Sequence, residues 1–329
     1  MAHMIEEING KAQMAYAGEK PWHGLGTQVP ADLTPAQMLE AAGLNWTVTK
    51  VPAYAEINGK KIAVGKSALV RSFDDSMLDV VSDDWNPIQN DEAFEFFNDF
   101  VMAGDMAMET AGSLRDGQIV WGLAKVKESF ELFNGKDVVD SYLLFTNFHR
   151  FGFATDVRFS PIRVVCNNTL TASLNAKVQN MVKISHRKKF DPENVKVMLG
   201  VAHEKMAKYK EMAQYLSTKR YNGENIVEYF KRVFPAGSAK TAESSVDGVI
   251  VGATELSRNA KQALNVMFTQ PGAELGEGTW WQAFNTVTYM TDHTLGRSAD
   301  TRLQSAWYGA SKNMKIKALE TAIEFADAA

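Results

Sequence analysis

The chain has 329 residues, of which 45% are hydrophobic, 22% charged and 10% aromatic, and its net charge is −4. This composition excludes a wholly disordered, collagen-like or disulfide-stapled protein, and the length leaves one large domain or two smaller ones open. Because the sequence has no run of about 18 apolar residues, no secretory signal pattern at its start and a single cysteine, we expect a protein of the reducing cytoplasm that does not contact a membrane.

The charge is distributed unevenly along the chain. Residues 1–150 carry 12 basic and 22 acidic side chains, whereas residues 151–220 carry 13 basic and 5 acidic ones. The densest basic segment, residues 177–189, contains five Lys or Arg and no acid. Such a segment can neutralise phosphates and release their counterions, and the alternative is a solvated helix face with its preceding loop.

Two helices are predicted within a first half that is otherwise mainly β-structure. Thr34 and Pro35 are typical of a helix N-cap and first helical residue, and Gly43 is placed to end that helix. A second helix is predicted to begin near Asn90, because apolar residues recur at three-to-four spacing before Gly104.

Short β-forming runs separated by turn residues surround these helices. Asn58 and Gly59 predict a two-residue hairpin, and a second hairpin is predicted over residues 106–126. Further strands are expected at residues 138–145 and 156–166. Since the strands follow one another through turns rather than crossover helices, we predict mostly antiparallel pairing.

The apolar period changes to that of a helix from about residue 191. A long helix is predicted to open at Asp191 and to reach Leu216. Other helices are predicted at residues 169–176, 224–233, 255–268, 279–293 and 314–326. The predicted fold class is α+β, with an antiparallel β-rich part with packed helices over residues 1–190 and a mainly helical part over residues 191–329 that can share one core with it.

The sequence carries no strong catalytic signature. It lacks a phosphate-binding loop, the HExxH helix of zinc proteases, paired cysteines and the GxSxG elbow of serine hydrolases. Their absence counts against an ATPase, a common metalloprotease and a serine hydrolase, and we predict neither a metal nor a cofactor.

Several polar residues at turns and helix ends are candidates for ligand binding. An imidazole beside flexible glycines or a carboxylate can contact a ligand or transfer a proton, while structural turns and helix capping are the alternatives. These polar candidates are His23, His149, Asn167, Asn168, Asp292, His293, Arg297 and Arg302. For Cys166, the alternative to a nucleophile is a small buried hydrophobic residue.

Two arginines fall on the strand predicted at residues 156–166. Arg158 and Arg163 can each bind a phosphate or a carboxylate through two parallel hydrogen bonds, because the guanidinium fork matches these oxyanions. The alternative is that they pair with acids of the N-terminal part.

Segments spread over nearly the whole chain carry a family resemblance. They are Trp22 to Gly26, Trp85 to Asn90, Arg163 to Leu170, Val287 to His293, and Arg302. These segments resemble the phage/plasmid-like protein family, which belongs to a larger group of domains of unknown function. The resemblance implies a mobile genetic element as the source and supplies no catalytic residue.

These observations predict a phage or plasmid protein of DNA metabolism. We expect it to bind single-stranded DNA, to promote annealing or recombination without nucleotide hydrolysis, and to form a homo-oligomer in the bacterial cytoplasm. A curved antiparallel sheet with helices, a basic strip and aromatic side chains fits annealing recombinases by fold-level analogy. The residues expected to contact phosphates are Arg158, Arg163, Lys177, Lys183, Arg187, Lys188 and Lys189.

Two alternatives stay open at this point. One is an enzyme acting on a nucleotide or nucleic acid, with Arg163, Asn167, Asn168, Asp292 and His293 in one cleft. The other is a protein that binds a host partner, because the acidic N-terminal half would attract a basic target.

Overall fold

The computed structural model describes residues 5–18, 21, 24–163, 168–169, 181–236, 256–296, 305 and 309–328, without the side chains of residues 128, 161–163, 168–169, 181 and 198–206. The strands are β1 (Glu7–Ile8), β2 (Lys11–Ala12), β3 (Met14–Ala17), β4 (Thr27–Val29), β5 (Val48–Ile57), β6 (Lys60–Arg71), β7 (Met77–Val81), β8 (Met106–Leu114), β9 (Ile119–Leu132), β10 (Asp137–Phe148), β11 (Thr155–Arg163), β12 (Asn168–Thr169) and β13 (Met181–Ile184). The α-helices are α1 (Pro35–Ala41), α2 (Asn90–Glu95), α3 (Asn98–Met102), α4 (Pro192–Thr218), α5 (Gly223–Val233), α6 (Arg258–Val266), α7 (Trp280–Tyr289) and α8 (Ala310–Asp327). A 3-10 turn covers Ala273–Gly276 and a π-helical turn covers Met290–Thr294.

One large sheet organises the described part of the chain. Its strand order is β12-β11-β10-β9-β8-β3-β4, and β13 pairs with β11 along the same edge as β12. The β3–β4 pair is parallel, and the other pairs of this sheet are antiparallel. Strands β5, β6 and β7 form a second antiparallel sheet. The predicted α+β class, with a β-rich N-terminal half and a mainly helical C-terminal region, is confirmed.

The large sheet buries both of its faces. Side chains along β9 alternate between the two faces, since Trp121 and Leu123 belong to one apolar cluster and Val120 and Ala124 to another. Trp121 lies so close to the backbone of β8 that a Cβ on Gly112 would be 2.3 Å from its ring. Glycine at position 112 is therefore required by the close approach of the indole.

Helices from both halves of the chain pack into the larger of these clusters. Phe94 on α2 and Phe145 on β10 share it with Trp280 on α7 and Leu319 on α8. A buried hydrogen bond adds to this contact, because Trp281 Nε1 donates to Asp137 Oδ2 over 2.9 Å. None of the described helices is long and apolar enough to cross a membrane.

Local sequence signals explain several of these elements. Helix α1 starts with the predicted cap, where the Thr34 side chain and Gln37 form a capping box. The predicted hairpin turn has positive φ at both Asn58 (51°) and Gly59 (75°), as a primed turn requires. The long helix opens at Asp191, whose side chain accepts a hydrogen bond from the Asn194 amide.

The prediction of a single helix from Asn90 to Gly104 is wrong in one respect: the structure has two short helices, α2 and α3, separated by a turn. Phe96 and Phe97, which lie at the break, are both almost completely buried, and their rings contact Phe145. Successive residues of a continuous helix point about 100° apart. The break allows both rings to enter the same core.

Other predicted helices differ from the structure mainly at their ends. The helix predicted at residues 279–293 changes to a π-helical turn after Tyr289. The helix predicted at residues 255–268 covers Arg258–Val266. The short helix predicted at residues 169–176 lies outside the described residues, apart from Thr169, which belongs to β12.

Candidate functional site

A carboxylate and an arginine lie two residues apart on β11, the strand that pairs with the edge strands β12 and β13. Asp156 and Arg158 are two residues apart and so lie on the same face of the strand. Arg158 donates from Nε and Nη2 to the two carboxylate oxygens of Asp156, both over 2.8 Å. Both residues are more than nine-tenths buried. The Arg158 guanidinium, predicted to contact phosphate, is thus engaged by a carboxylate of its own strand.

Two lysines complete this group. The antiparallel register places Lys183 on β13 directly opposite Asp156, and the Lys183 side chain is exposed. Lys312, in the first turn of α8, is half-buried and lies within electrostatic range of the same residues. Burial lowers the pKa of Lys312, and so do the charges of Arg158 and Lys183, whereas Asp156 acts in the opposite direction.

The described side chains around Asp156 are mostly cationic. We call Arg158, Lys183 and Lys312 the basic cluster; all three cations act on the carboxylate of Asp156. Burial raises the pKa of Asp156, and the three cations oppose this effect. Lys183 and Lys312 form no ion pair with the residues that the structure describes, so an anion can bind at the exposed Lys183 and the half-buried Lys312.

Three more predicted cations follow β13 on the surface. Arg187, Lys188 and Lys189 are all exposed. Arg187 lies 3.5 Å from Asp84, and both side chains are mostly in solvent, so this ion pair contributes little to stability. The strand and the segment after it therefore present further cations beyond the basic cluster.

The predicted candidate His149 lies in a buried polar network rather than at a surface. His149 Nε2 is 2.9 Å from Asn90 Oδ1, and Asn147 donates to the backbone carbonyl of Ile88 over 2.7 Å. Thr155 donates to Asn147 over 2.9 Å. These contacts join β10 and β11 to the start of α2.

A second histidine, His186, belongs to the same group of contacts. We call the group the histidine network; its members are His149, His186, Asn90, Asn147 and Thr155. His186 Nε2 is 3.2 Å from Thr155 Oγ1, its Nδ1 is 3.0 Å from the Asn86 carbonyl, and its ring stacks on Trp85 at 4.0 Å. Burial lowers the pKa of His149 to about 3, with a further contribution from His186, and burial lowers that of His186 to about 4. Both imidazoles are neutral at pH 7, so the network joins elements without adding charge.

The predicted acid Asp292 also has a buried partner. It lies in the π-helical turn, and its Oδ1 is 2.5 Å from Nζ of Lys315 on α8, with both side chains buried. Burial lowers the pKa of Lys315, and Asp292 acts against that effect. His293 is half-buried and its ring lies 4.9 Å from that of Tyr289. The ion pair of Asp292 and Lys315 therefore connects α8 to the π-helical turn that follows α7.

The remaining candidates are described only in part or not at all. The backbones of Arg163 and Asn168 pair across β11 and β12. His23, Cys166, Asn167, Lys177, Arg297 and Arg302 lie outside the described residues. The enzyme cleft around Arg163 and His293 therefore stays a prediction. In the part of the chain that the structure covers, no group of three or more His, Cys, Asp or Glu side chains is placed to hold a metal ion.

Lys312 and Lys315 did not emerge from the sequence as site residues. Their spacing of three places them on one side of a helix, which indicates that they act in the same region. For His186, by contrast, the sequence pattern indicates a buried position. Val182, Ile184 and His186 alternate with Lys183 and Arg187, and this period of two assigns His186 to the apolar side.

The fold and the site define an α+β protein with a cationic group near one edge of a mainly antiparallel sheet. Residues 77–307, more than half of the chain, match the family described as a domain of unknown function, DUF932. The chain belongs to this family. No curated protein and no solved structure matches it.

Proposed function

We propose that the protein binds single-stranded DNA along β13 and the segment that follows it, and that it promotes annealing or recombination without nucleotide hydrolysis. The observation that carries this proposal is the pair of lysines beside the Asp156–Arg158 ion pair: within the described chain, Lys183 and Lys312 form no ion pair of their own. An anionic chain is the ligand that these two lysines favour most, since each phosphate contact releases counterions.

The positions of the cations suit an extended ligand better than a small one. Lys183 lies on β13, and Arg187, Lys188 and Lys189 follow within a few residues, all exposed. Four exposed cations along one short segment can contact successive phosphates of a strand. Lys312 adds a contact from the first turn of α8.

The source and cellular location belong to the same proposal. The resemblance to the phage/plasmid-like protein family supports a role in the replication or repair of a phage or plasmid. Such a protein acts in the cytoplasm of the bacterial host. Binding and annealing need no bond chemistry, so this function does not require a metal or a cofactor.

The test is a salt titration of oligonucleotide binding. We expect the affinity of a fluorescent oligo-dT for the wild-type chain to fall steeply with salt in fluorescence anisotropy. The double variant Lys183→Ala/Lys312→Ala should bind about 25-fold more weakly at 0.1 M salt, and its log–log salt slope should be smaller by about 1.4, because each single-strand contact contributes about 0.7 to that slope.

Lys317→Ala is the matched control. Lys317 is an exposed lysine on the same helix as Lys312, five residues further along, so it points to a different side. Its removal should leave both affinity and slope unchanged. Salt-independent affinity, or equal weakening by the control and the double variant, would contradict the proposal. The rate at which the protein anneals complementary strands should fall with the same double variant.

A further inference from the structure

The outer halves of β5 and β6 project from the body as a two-stranded arm. We call residues 51–66 the β-arm; residues 57–66 are all exposed. The side chains of Tyr54, Ile57, Ile62 and Val64 are 58%, 56%, 50% and 47% exposed. A two-stranded hairpin in water is only marginally stable by itself, and exposed apolar patches mark interaction sites.

The three aliphatic residues Ile57, Ile62 and Val64 share one face of the β-arm, and Tyr54 lies on the other. The register pairs Ala55 with Ile62 and Ile57 with Lys60, so these residues lie on the same side of the hairpin. Val64 falls on that side too, because it is two residues from Ile62. The side thus presents three large aliphatic side chains to solvent.

The β-arm is also cationic, although it belongs to the acidic half of the chain. It contains three lysines and one glutamate. Lys66 lies over the Phe151 ring, whereas Lys60 and Lys61 form no ion pair with any residue that the structure describes. A partner for the tip of the β-arm must therefore offer negative charge together with apolar surface.

A surface with these properties lies on α2 and α3 of the same chain. Residues 83–99 contain six acids and no Lys or Arg, and all six are exposed. Asp84 and Asp99 pair with Arg187 and Lys196. We call the others on the helices, Asp91, Glu92 and Glu95, the acidic face; within the described chain they form no ion pair with a cation. At the end of α3, Met102 is 77% exposed.

We propose that the β-arm of one copy docks on the acidic face of a second copy. Lys60, which lies on the aliphatic side, then meets Asp91 and Glu95, Lys61 adds positive charge from the other side of the tip, and the aliphatic side of the β-arm covers Met102. The two surfaces are different, so the contact is heterologous and joins copies head to tail into a ring or a filament. This inference goes beyond DNA binding and does not depend on it.

The test exchanges charges between the two surfaces of the full-length chain. The arm variant is Lys60→Glu/Lys61→Glu, and the face variant is Asp91→Lys/Glu95→Lys. In sedimentation velocity at low salt, we expect the wild-type coefficient to rise with protein concentration and each variant alone to remain at the monomer value. In an equimolar mixture of the two variants association should return, because each β-arm then finds a face of opposite charge.

Two controls keep this test decisive. Lys208→Glu/Lys210→Glu makes the same charge change at exposed positions of α4 and should associate like the wild type. Ile57→Ser/Ile62→Ser should weaken association without changing any charge. Circular dichroism should show that all variants are folded.

Three results would overturn the proposal: a wild-type chain that stays monomeric at all concentrations, variants that associate normally, or a mixture that does not recover. An arm variant that loses DNA affinity but not association would assign the β-arm to nucleic acid instead. Loss of association with unchanged oligonucleotide affinity leaves the proposed function intact and supports the docking.

Discussion

Two sets of polar side chains lie on opposite faces of β11, and they differ in charge. Thr155 joins the histidine network of neutral amides, hydroxyl and imidazoles, in which His149 Nδ1 has no hydrogen-bond partner among the described residues. The next residue, Asp156, is ionic, and in the described part of the chain Arg158, Lys183 and Lys312 act on its carboxylate. Burial and hydrogen bonding are common to both sides, so the charge is what distinguishes the side proposed to bind an anion.

The largest effect is expected from removal of the Asp156 carboxylate on the charged side of β11. We expect Asp156→Ala to lower the free energy of unfolding by about 3–5 kcal/mol, because the buried Arg158 guanidinium then has lost its bidentate partner. Urea denaturation measures the loss. Asp91→Ala, at an exposed position, should change stability by less than about 0.5 kcal/mol. A loss below about 1 kcal/mol for Asp156→Ala would mean that Arg158 is held by other groups.

The second prediction concerns the neutral side. The folded-state pKa values of His149 and His186 are about 3 and about 4, below the ordinary value of 6.5. Unfolded chains therefore bind more protons as the pH falls below about 7, and stability falls with them. Between pH 7 and pH 5 we expect a loss of roughly 4 kcal/mol in the free energy of unfolding from the two residues.

Urea denaturation at several pH values measures this loss, and His186→Gln gives its internal control. With one histidine removed, roughly half of the pH dependence should disappear. An unchanged free energy of unfolding from pH 7 to pH 5 in the wild type would show that the imidazoles are hydrated and not buried together.

The smallest expected effect is a decrease in oligonucleotide affinity when Lys312 loses its proton. Its pKa lies below the ordinary lysine value because of burial and because Arg158 and Lys183 are close, with Asp156 as the one opposing group. It should lose its proton at a lower pH than a solvent-exposed lysine does. Oligonucleotide affinity should then fall by about fivefold, the value of one lost phosphate contact at 0.1 M salt.

Lys312→Arg should remove this pH dependence while keeping the affinity near neutral pH, since a guanidinium stays charged. Fluorescence anisotropy between pH 7 and pH 10 compares the two proteins. A parallel decline in both would assign the effect to groups other than Lys312.

Local features of the fold could be predicted from the sequence, and features set by distant contacts could not. The helix start at Thr34 and the turn at Asn58-Gly59 depend only on neighbouring residues: the Thr34 side chain caps the next backbone amides, and Asn58 and Gly59 adopt positive φ. Both predictions are therefore confirmed. The break between α2 and α3 depends on a core that Phe145 supplies from another strand.

The site shows the same division. Lys183 and Arg158 were apparent as cations, but their meeting depends on the register of β11 and β13. Lys312 reaches them from the last helix, which is far along the chain. Such long-range placement leaves no trace in spacing or composition, and it also decides that Asp292 pairs with Lys315.

The peptide bond between Thr155 and Asp156 links the two sides mechanically. Thr155 donates to Asn147 and lies within hydrogen-bond distance of His186, so the backbone that carries Asp156 is held from the opposite face of the sheet. These contacts are between neutral groups, and salt does not screen them. If an oxyanion binds at Lys183 and Lys312 as proposed, none of its binding energy has to be spent on ordering the neighbouring carboxylate.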